Sequence, residues 1–289
     1  MTKNSPLQNT DNMLYNPDNA HDSCGVGFIT HKHSTQTHDL LNKSHEALCT
    51  IPHRGGMSSE GIGDGAGVNI DLSLNFFQKI TDNPHLKLGE FGVANFFFPE
   101  DHSHYDSAAH TLVDEHLQQF DLPIIKWRDI PVDNSVLNTA SIKAQLPIKQ
   151  VIFARPEKLK NATHAEFESY IQEALLTIEA EGFTRHELDG FYPLSMSSRT
   201  QVYKGRLNSF EVIPYFTDLY DKEHEISTLF FHTRFSTNTA PATMMAQPFR
   251  YMAHNGELNT DKKNRLSEKA IARQHGNHLV FPLGQSDSS

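Results

Sequence analysis

The sequence predicts an α+β fold, in which runs of strands are interrupted by a few helices. Residues 91–98 form an apolar run interrupted only by Asn95, which is typical of a strand buried on both faces. Residues 68–72 alternate between apolar and polar side chains, which indicates a half-buried strand. A capping box at residues 163–166 opens an amphipathic helix.

The chain begins with a polar segment, residues 1–23, that contains no apolar core of signal-peptide length. We expect this segment to be a leader that is cleaved off. The character changes at Cys24, which opens a strand-like stretch over residues 24–29. Residues 24–289 are then expected to form one domain, and we expect its C-terminal end to be truncated in this sequence.

Cleavage before Cys24 would place a thiol and a free α-amino group on one residue. An α-amine titrates at roughly 7.7–8.0, so it can accept the thiol proton near neutral pH. Without cleavage this nitrogen is an amide and no such base exists. The alternative for a lone cysteine is a small buried apolar residue.

The glycine-rich run at residues 61–67 matches the G-x-G-x-x-A pattern of a dinucleotide-binding loop. That fingerprint has to follow a strand and open a helix. Here a polar segment precedes the run and a strand-like segment follows it. We therefore predict a tight backbone turn beside the strand of Cys24.

The middle of the chain is predicted to be scaffold. Strands are expected at residues 91–98 and 123–130, and a helix at residues 111–120. The helix after the capping box carries one apolar face: Phe167, Ile171, Ala174, Leu175 and Ile178. Trp127 is expected to be packed. Residues 196–207 are predicted to form a strand, with Arg199 and Lys204 on its solvent side unless they face the site.

Composition excludes several classes of function. The chain has 289 residues, of which 25 are basic and 35 acidic, and its net charge is −10. It shows no basic stripe for nucleic acid and no apolar run of membrane-spanning length. With two cysteines and a free thiol needed for chemistry, a reducing cytoplasm is expected. Cys49 is predicted to be a buried helix residue.

The 18 histidines raise the question of a metal site. They are densest at residues 31–38 and 102–110. Neither group shows the cysteine pairs or the His-Glu helix spacing of a zinc site. We expect no metal, and we expect these histidines to be solvated.

Residues 230–259 contain two strand-like segments that end in polar groups. The first stops at His232 and Arg234, and the second, residues 249–253, stops before Asn255 and Gly256. An arginine can grip a carboxylate with two donors. An Asn-Gly pair can offer a side-chain amide and a backbone N–H to one oxyanion. Taken alone, however, Asn-Gly is also the strongest short signal for a hairpin turn.

Several motifs occur together in one order along the chain. They are Cys-Gly-Val-Gly-Phe at 24–28, His-Arg-Gly-Gly at 53–56, Gly-Asp-Gly-Ala-Gly at 63–67, Ser-Arg-Thr-x-Val-Tyr-Lys-Gly at 198–205, His-x-Arg-Phe-Ser-Thr-Asn-Thr at 232–239 and His-Asn-Gly-Glu-x-Asn-Thr at 254–260. This set resembles the N-terminal class II glutamine amidotransferase domain of the glutamate synthase large subunit. The resemblance spans nearly all of the chain after Cys24.

The resemblance implies an N-terminal nucleophile hydrolase fold: a four-layer sandwich of two antiparallel sheets between helix layers. It implies hydrolysis of L-glutamine through a thioester on Cys24, with Asn255 and Gly256 holding the oxyanion. Arg234 and Thr237 would bind the substrate, and Asp287 would bind its α-ammonium group. Residues 53–56 would form part of the site floor; the alternative for them is an exposed helix end. Residues 236–247 would form a lid.

The resemblance also implies partners outside this chain. The expected partner is a synthase domain or a glutamate synthase small subunit. The ammonia would pass inside the protein to a second domain for reductive amination of 2-oxoglutarate. FMN, a 3Fe-4S cluster and NAD(P)H are expected in that full-length synthase, and none of the residues for these cofactors is expected in this chain.

Three alternatives stay open. A class II amidotransferase of another pathway would keep Cys24, Arg234 and the Asn255-Gly256 pair. A hydrolase of unrelated amides would not need Arg234 and Asp287 as an amino-acid clamp. An inactive, truncated interaction module would need none of them.

Overall fold

The computed structural model describes residues 25–99, 103–188, 190–235 and 262–274. The strands in these ranges are β1 (Val26–Thr30), β2 (Gly67–Asp71), β3 (Phe91–Phe97), β4 (Ile124–Asp129), β5 (Ile148–Ala154), β6 (Tyr192–Ser197), β7 (Thr200–Lys204) and β8 (Thr228–His232). The helices are α1 (Asp39–Thr50), α2 (Leu74–Thr81), α3 (Ser103–Gln119), α4 (Thr139–Lys143), α5 (His164–Thr184), α6 (Val212–Tyr215) and α7 (Lys262–Gln274). The strand predicted at residues 249–253 lies outside the described residues.

The strands form two antiparallel sheets of four strands each. The first sheet has the order β1-β8-β2-β7, and the second has the order β4-β5-β3-β6. Since β8 pairs with both β1 and β2, it lies between them. The chain therefore returns from a distant position in sequence to complete the centre of the first sheet.

Buried amide side chains connect the two sheets. Gln150 of β5 donates to Gln201 of β7 over 3.0 Å and to Asn95 of β3 over 2.8 Å. Asn95 in turn donates to the backbone carbonyl of Val202 over 2.9 Å. Because a buried amide without partners is costly, these bonds hold the two sheets in register, although Oε1 of Gln150 has no hydrogen-bond partner among the described residues.

Helices α3 and α5 cover one face of the second sheet. Phe96 and Phe153 from the sheet pack with Leu112 of α3 and Ile171 of α5 in one core cluster. The side chain of Thr163 caps α5 together with Glu166, which confirms the predicted capping box. The predicted apolar face of this helix is buried throughout. Two antiparallel sheets with flanking helices confirm the predicted α+β sandwich.

Three further predictions for this region hold. Strands β3 and β4 lie within the predicted ranges, and the helix predicted at residues 111–120 is the C-terminal part of α3. Trp127 is packed against the ring of Phe98, and its indole N–H donates to Asp114 over 2.9 Å. The expectation of solvated histidines is wrong for His110, whose ring lies 4.5 Å from that of Trp127. Burial lowers the pKa of His110.

The prediction for Cys49 is half right. The residue lies on α1, as expected, but its side chain is exposed. The helix buries Leu40, Ser44 and Leu48, which follow one another at intervals of four residues. Cys49 is one position past this stripe, and one step along an α-helix turns a side chain by about 100°. It therefore points away from the core.

Residues 192–204 form two strands rather than one. Strand β6 belongs to the second sheet and β7 to the first, and Ser198 and Arg199 lie between them. Arg199 is exposed, as predicted. Lys204 is only 8% exposed, so of its two predicted alternatives the solvent side is excluded and the side facing Arg234 is observed. It is the last residue of the edge strand β7, where its ammonium contacts Arg234 and Phe235, the residues that follow β8.

The part of the chain that the structure describes contains neither a membrane span nor a cluster of metal ligands. No helix in it is long and apolar enough to cross a membrane. No group of three or more His, Cys, Asp or Glu side chains among these residues could hold a metal ion.

Candidate active site

The site is built where the start of β1 meets the end of β8. Val26 pairs with His232 in the antiparallel ladder. One step further, the backbone N–H of Thr233 donates to the carbonyl of Gly25 over 2.9 Å. This pairing brings Gly25, the residue after Cys24 in the sequence, next to the residue before Arg234.

A third chain segment, which contains Arg54, contacts Thr233 at the same place. The hydroxyl of Thr233 donates to the carbonyl of Arg54 over 3.1 Å. A Cβ atom at Gly25 would lie 1.9 Å from the Thr233 hydroxyl oxygen and 3.2 Å from the Arg54 carbonyl oxygen. Only glycine fits at this position, because any side chain would push the three segments apart.

The segment with Arg54 therefore belongs to the site through its backbone. A 3₁₀ turn, Pro52–Arg54, ends at Gly55, and His53 is exposed. The sequence left two alternatives for this stretch, a site floor or an exposed helix end. The described structure contains features of both, with the Arg54 carbonyl at the site and the His53 side chain in solvent.

Asp64 lies beside the guanidinium of Arg234. Its carboxylate oxygen Oδ2 is 3.9 Å from Arg234 Nε, and the two side chains are 24% and 31% exposed. A Cβ atom at Gly56 would lie 1.5 Å from that same oxygen, so only glycine leaves room for the carboxylate. Opposite charges at this distance orient the arginine side chain.

Backbone hydrogen bonds hold Asp64 itself. Its N–H donates to the carbonyl of Gly56 over 2.9 Å, and its own carbonyl accepts from the N–H of Phe235 over 2.9 Å. The backbone is therefore held on both sides of Arg234, by the bond from Thr233 to Gly25 and by the bond from Phe235 to Asp64. The side chain of Arg234 stays partly exposed. The buried Nε of Arg234 has no hydrogen-bond partner among the described residues. An arginine in this state can bind a carboxylate with its planar fork.

Lys204 completes the surroundings of Arg234. Its ammonium donates to the backbone carbonyl of Arg234 over 3.2 Å and lies 5.1 Å from the centre of the Phe235 ring. Burial lowers the pKa of Lys204 from 10.5 to about 7.

Comparison with known proteins identifies the family of this chain. The family model of the class-II glutamine amidotransferases matches residues 24–281. The chain belongs to the class-II glutamine amidotransferases.

Several relatives of this amidotransferase are glutamate synthases. The chain is 34% identical to the glutamate synthase [NADPH] large chain of Bacillus subtilis, over 96% of this chain and 18% of that protein. It is 32% identical to glutamate synthase [NADH] of Saccharomyces cerevisiae, over 87% of this chain and 12% of that protein. The ferredoxin-dependent glutamate synthase of Cyanidium caldarium is 34% identical, over 83% of this chain and 16% of its own length. The amidotransferase thus spans less than a fifth of these relatives.

Of the predicted site residues of this amidotransferase, the structure describes Arg234. The others lie outside the described residues: Cys24, Thr237, Asn255, Gly256 and Asp287. The lid predicted at residues 236–247 also lies outside them. Their roles remain predictions.

Around Arg234 the structure places Asp64 and Thr233, which sequence reasoning did not single out for the amidotransferase site, and Lys204, which it named there only as an alternative to the solvent side. Each belongs to one of the motifs that carry the resemblance, but the sequence did not show that these motifs meet. The predicted turn at residues 61–67 does lead into a strand, β2, and not into a helix. The turn was predicted to lie beside the strand of Cys24. Its Asp64 carbonyl accepts from the N–H of Phe235 just after β8, and β8 pairs with β1.

Proposed function

We propose that this chain hydrolyses L-glutamine to glutamate and ammonia, and that its ammonia serves a glutamate synthase. The observation that carries the proposal is the pairing of Gly25 with Thr233. It brings the chain neighbour of Cys24 next to Arg234, whose fork suits the α-carboxylate of an amino acid. Membership of the amidotransferase family supplies the chemistry that such a pair of groups would serve.

The proposed reaction begins after removal of residues 1–23. The α-amine of Cys24 accepts the thiol proton, and the sulfur attacks the side-chain carbonyl carbon of glutamine. A C–S bond forms, and the negative charge that develops on the carbonyl oxygen is stabilised by the Asn255 amide and the Gly256 N–H. The C–N bond then breaks as the α-ammonium returns its proton to the departing ammonia. Water hydrolyses the thioester, which releases glutamate and restores the thiol.

We propose that three residues bind the α-carboxylate and α-ammonium groups of glutamine. Arg234 binds the α-carboxylate, and Asp287 binds the α-ammonium. Thr237 offers a hydroxyl beside them. The lid at residues 236–247 closes on the substrate and excludes water.

The second half of the proposal concerns the destination of the ammonia. The relatives are named as glutamate synthases with NADH, NADPH or ferredoxin, and this chain matches a small part of each. We place the reductive amination of 2-oxoglutarate in a synthase domain or partner subunit outside this chain, in the cytoplasm. FMN, the iron–sulfur cluster and the pyridine nucleotide belong to that part. Two cysteines do not suffice for an iron–sulfur cluster, and one of them is the proposed nucleophile.

A glutaminase assay tests the proposal. The purified chain is incubated with L-glutamine, and glutamate and ammonia are measured together with the intact mass of the protein. We expect equal amounts of both products from a chain that begins at Cys24, and none from Cys24→Ala. Hydrolysis by Cys24→Ala, or full activity with residues 1–23 attached, would contradict the mechanism. An inactive wild-type chain would favour an interaction module.

A class II amidotransferase of another pathway is the second candidate. The glutaminase assay does not separate it from a synthase, because both hydrolyse glutamine. An assay with the remaining synthase domains added separates the two candidates. In a synthase, 2-oxoglutarate should then be converted to glutamate with glutamine as the nitrogen source and with consumption of a reductant. The names of the relatives favour the synthase.

A further inference from the structure

Lys204 is a buried cation on a strand end. It is the last residue of β7, it pairs with Gly67 of β2, and it is only 8% exposed. Removing an ammonium from water is costly unless an opposite charge compensates it. No carboxylate of the described residues forms an ion pair with Lys204, and the lowered pKa has burial as its cause.

The contacts of Lys204 converge on the segment that carries Arg234. The ammonium donates to the carbonyl of Arg234 over 3.2 Å, and the Phe235 ring lies 5.1 Å away. On the other side of this segment, the N–H of Phe235 donates to the Asp64 carbonyl over 2.9 Å. Arg234 and Phe235 are thus held from two directions just after β8 ends.

Stability alone does not account for an amine at this position. A methionine has a similar length and would fill the same space without the cost of desolvating an ammonium. What the methionine would lack is a donor for the Arg234 carbonyl. A carbonyl that loses its partner lets the Arg234 peptide shift between its two neighbouring backbone hydrogen bonds, and the guanidinium shifts with it.

We propose that Lys204 is a positioning residue for Arg234, which it orients toward the α-carboxylate of glutamine by holding the Arg234 carbonyl. This inference rests on the proposed function. Lys204 itself does not touch the substrate in this proposal. It sets the orientation of the Arg234 guanidinium. Loss of the Lys204 amine should therefore weaken substrate binding and leave the chemistry at Cys24 largely unchanged.

The test is a double-mutant cycle on glutaminase kinetics with Lys204→Met and Arg234→Lys. We expect Lys204→Met to raise KM for glutamine about tenfold, the value at which the contributions of neutral and charged hydrogen-bond donors meet. The kcat should change little. In the Arg234→Lys background, Lys204→Met should have little further effect on KM, because the fork that it orients is already gone.

The matched control is Lys149→Met. Lys149 is a partly buried lysine of β5 that pairs with Asp106 and Asp129, in the second sheet. Its substitution should leave KM unchanged. Lys204→Gln keeps a neutral donor on a shorter side chain, and we expect it to recover part of the lost affinity.

The outcomes separate the two proposals. A wild-type chain that neither binds nor hydrolyses glutamine overturns the proposed function, and the role of Lys204 with it. An active wild type whose Lys204→Met variant keeps its KM overturns the role of Lys204 alone. Independent, multiplicative effects in the cycle would also overturn it. So would loss of folding in both Lys204→Met and Lys204→Gln, since the amine would then serve the fold.

Discussion

The carboxylate of Asp64 lies 3.9 Å from Nε of Arg234, across residues that are 170 positions apart in the chain. The room for this contact comes from Gly56, where a Cβ atom would collide with the carboxylate. An orienting carboxylate on the Nε side leaves the terminal nitrogens of the guanidinium for a ligand. We propose that this contact orients Arg234 toward the α-carboxylate of glutamine.

Substitution of Arg234 by lysine tests that role. Lysine keeps the positive charge but replaces a planar fork by a point charge, so we expect KM for glutamine to rise more than kcat falls. Arg199→Lys is the control, because Arg199 is exposed on the turn between β6 and β7. Steady-state kinetics on both variants decide the matter. An unchanged KM in Arg234→Lys would place the carboxylate grip elsewhere.

The two cysteines should differ in chemistry but not in access to small reagents. A glutamine-like electrophile should label Cys24 alone, because only Cys24 is proposed to lie beside the substrate. Iodoacetamide should also label Cys49, which is exposed on α1. Peptide mass mapping distinguishes these patterns. Cys49→Ala should retain glutaminase activity, and labelling of Cys49 by the glutamine-like reagent would show that the wrong thiol was chosen.

Asn255 is predicted to act on the transition state. Loss of one oxyanion donor typically costs about 10²–10³ in turnover, or roughly 2.7–4 kcal/mol, so Asn255→Ala should lower kcat by about that factor with little change in KM. Asn255→Asp should be at least as damaging, because it replaces the donor by a carboxylate. If Asn255 is instead a hairpin-turn residue, Asp-Gly is nearly as good a turn, and Asn255→Asp would be almost as active as the wild type. Thermal melts confirm that both variants fold.

The protonation of Lys204 should make stability depend on pH. Its pKa is about 7 in the folded chain and 10.5 without burial. Between these values the unfolded chain binds a proton that the folded chain does not, so this group makes stability rise with pH, by at most about 1.4 kcal/mol per unit. Below pH 7 both states are protonated and the full cost of burial is present. The stability advantage of Lys204→Met over the wild type should therefore shrink from pH 7 to pH 10, as measured by urea unfolding. A constant difference would contradict this account.

A buried ion pair at the edge of the two sheets should be important for folding. Arg128 of β4 contacts Asp218 over 2.5 Å, and both side chains are nearly buried, at 12% and 7% exposed. The Tyr203 hydroxyl also donates to Asp218, over 3.1 Å. Burial raises the pKa of Asp218, and Arg128 opposes that shift. Asp218→Ala leaves Arg128 buried without its partner and should destabilise the fold by about 3–5 kcal/mol in urea unfolding.

The control for that prediction is an exposed ion pair. Lys43 and Asp39 lie 2.7 Å apart on the surface of α1, in the i, i+4 relation. Water and salt screen such a pair, so Lys43→Ala should change stability very little. Equal losses in Asp218→Ala and Lys43→Ala would mean that burial does not set the value of the ion pair in this protein.

The sequence by itself determined the local elements. The capping box at Thr163 and Glu166, the buried face of α5 and the strands β3 and β4 follow from patterns within a few residues of one another. The order of the motifs along the chain was also enough to indicate the family. Such features depend on hydrophobic period, on neighbours three or four positions away and on the order of short segments, which a sequence displays directly.

The tertiary structure alone decided which residues surround Arg234. Asp64 and Lys204 reach it from different strands and loops, and the sequence left open whether Lys204 faces solvent or the site. Likewise, the exposure of Cys49 followed from which stripe of α1 the core covers. The physical reason is that burial and charge pairing depend on chain segments far away in sequence, brought together when β8 inserts between β1 and β2. No local pattern records which distant segment will supply a neighbour.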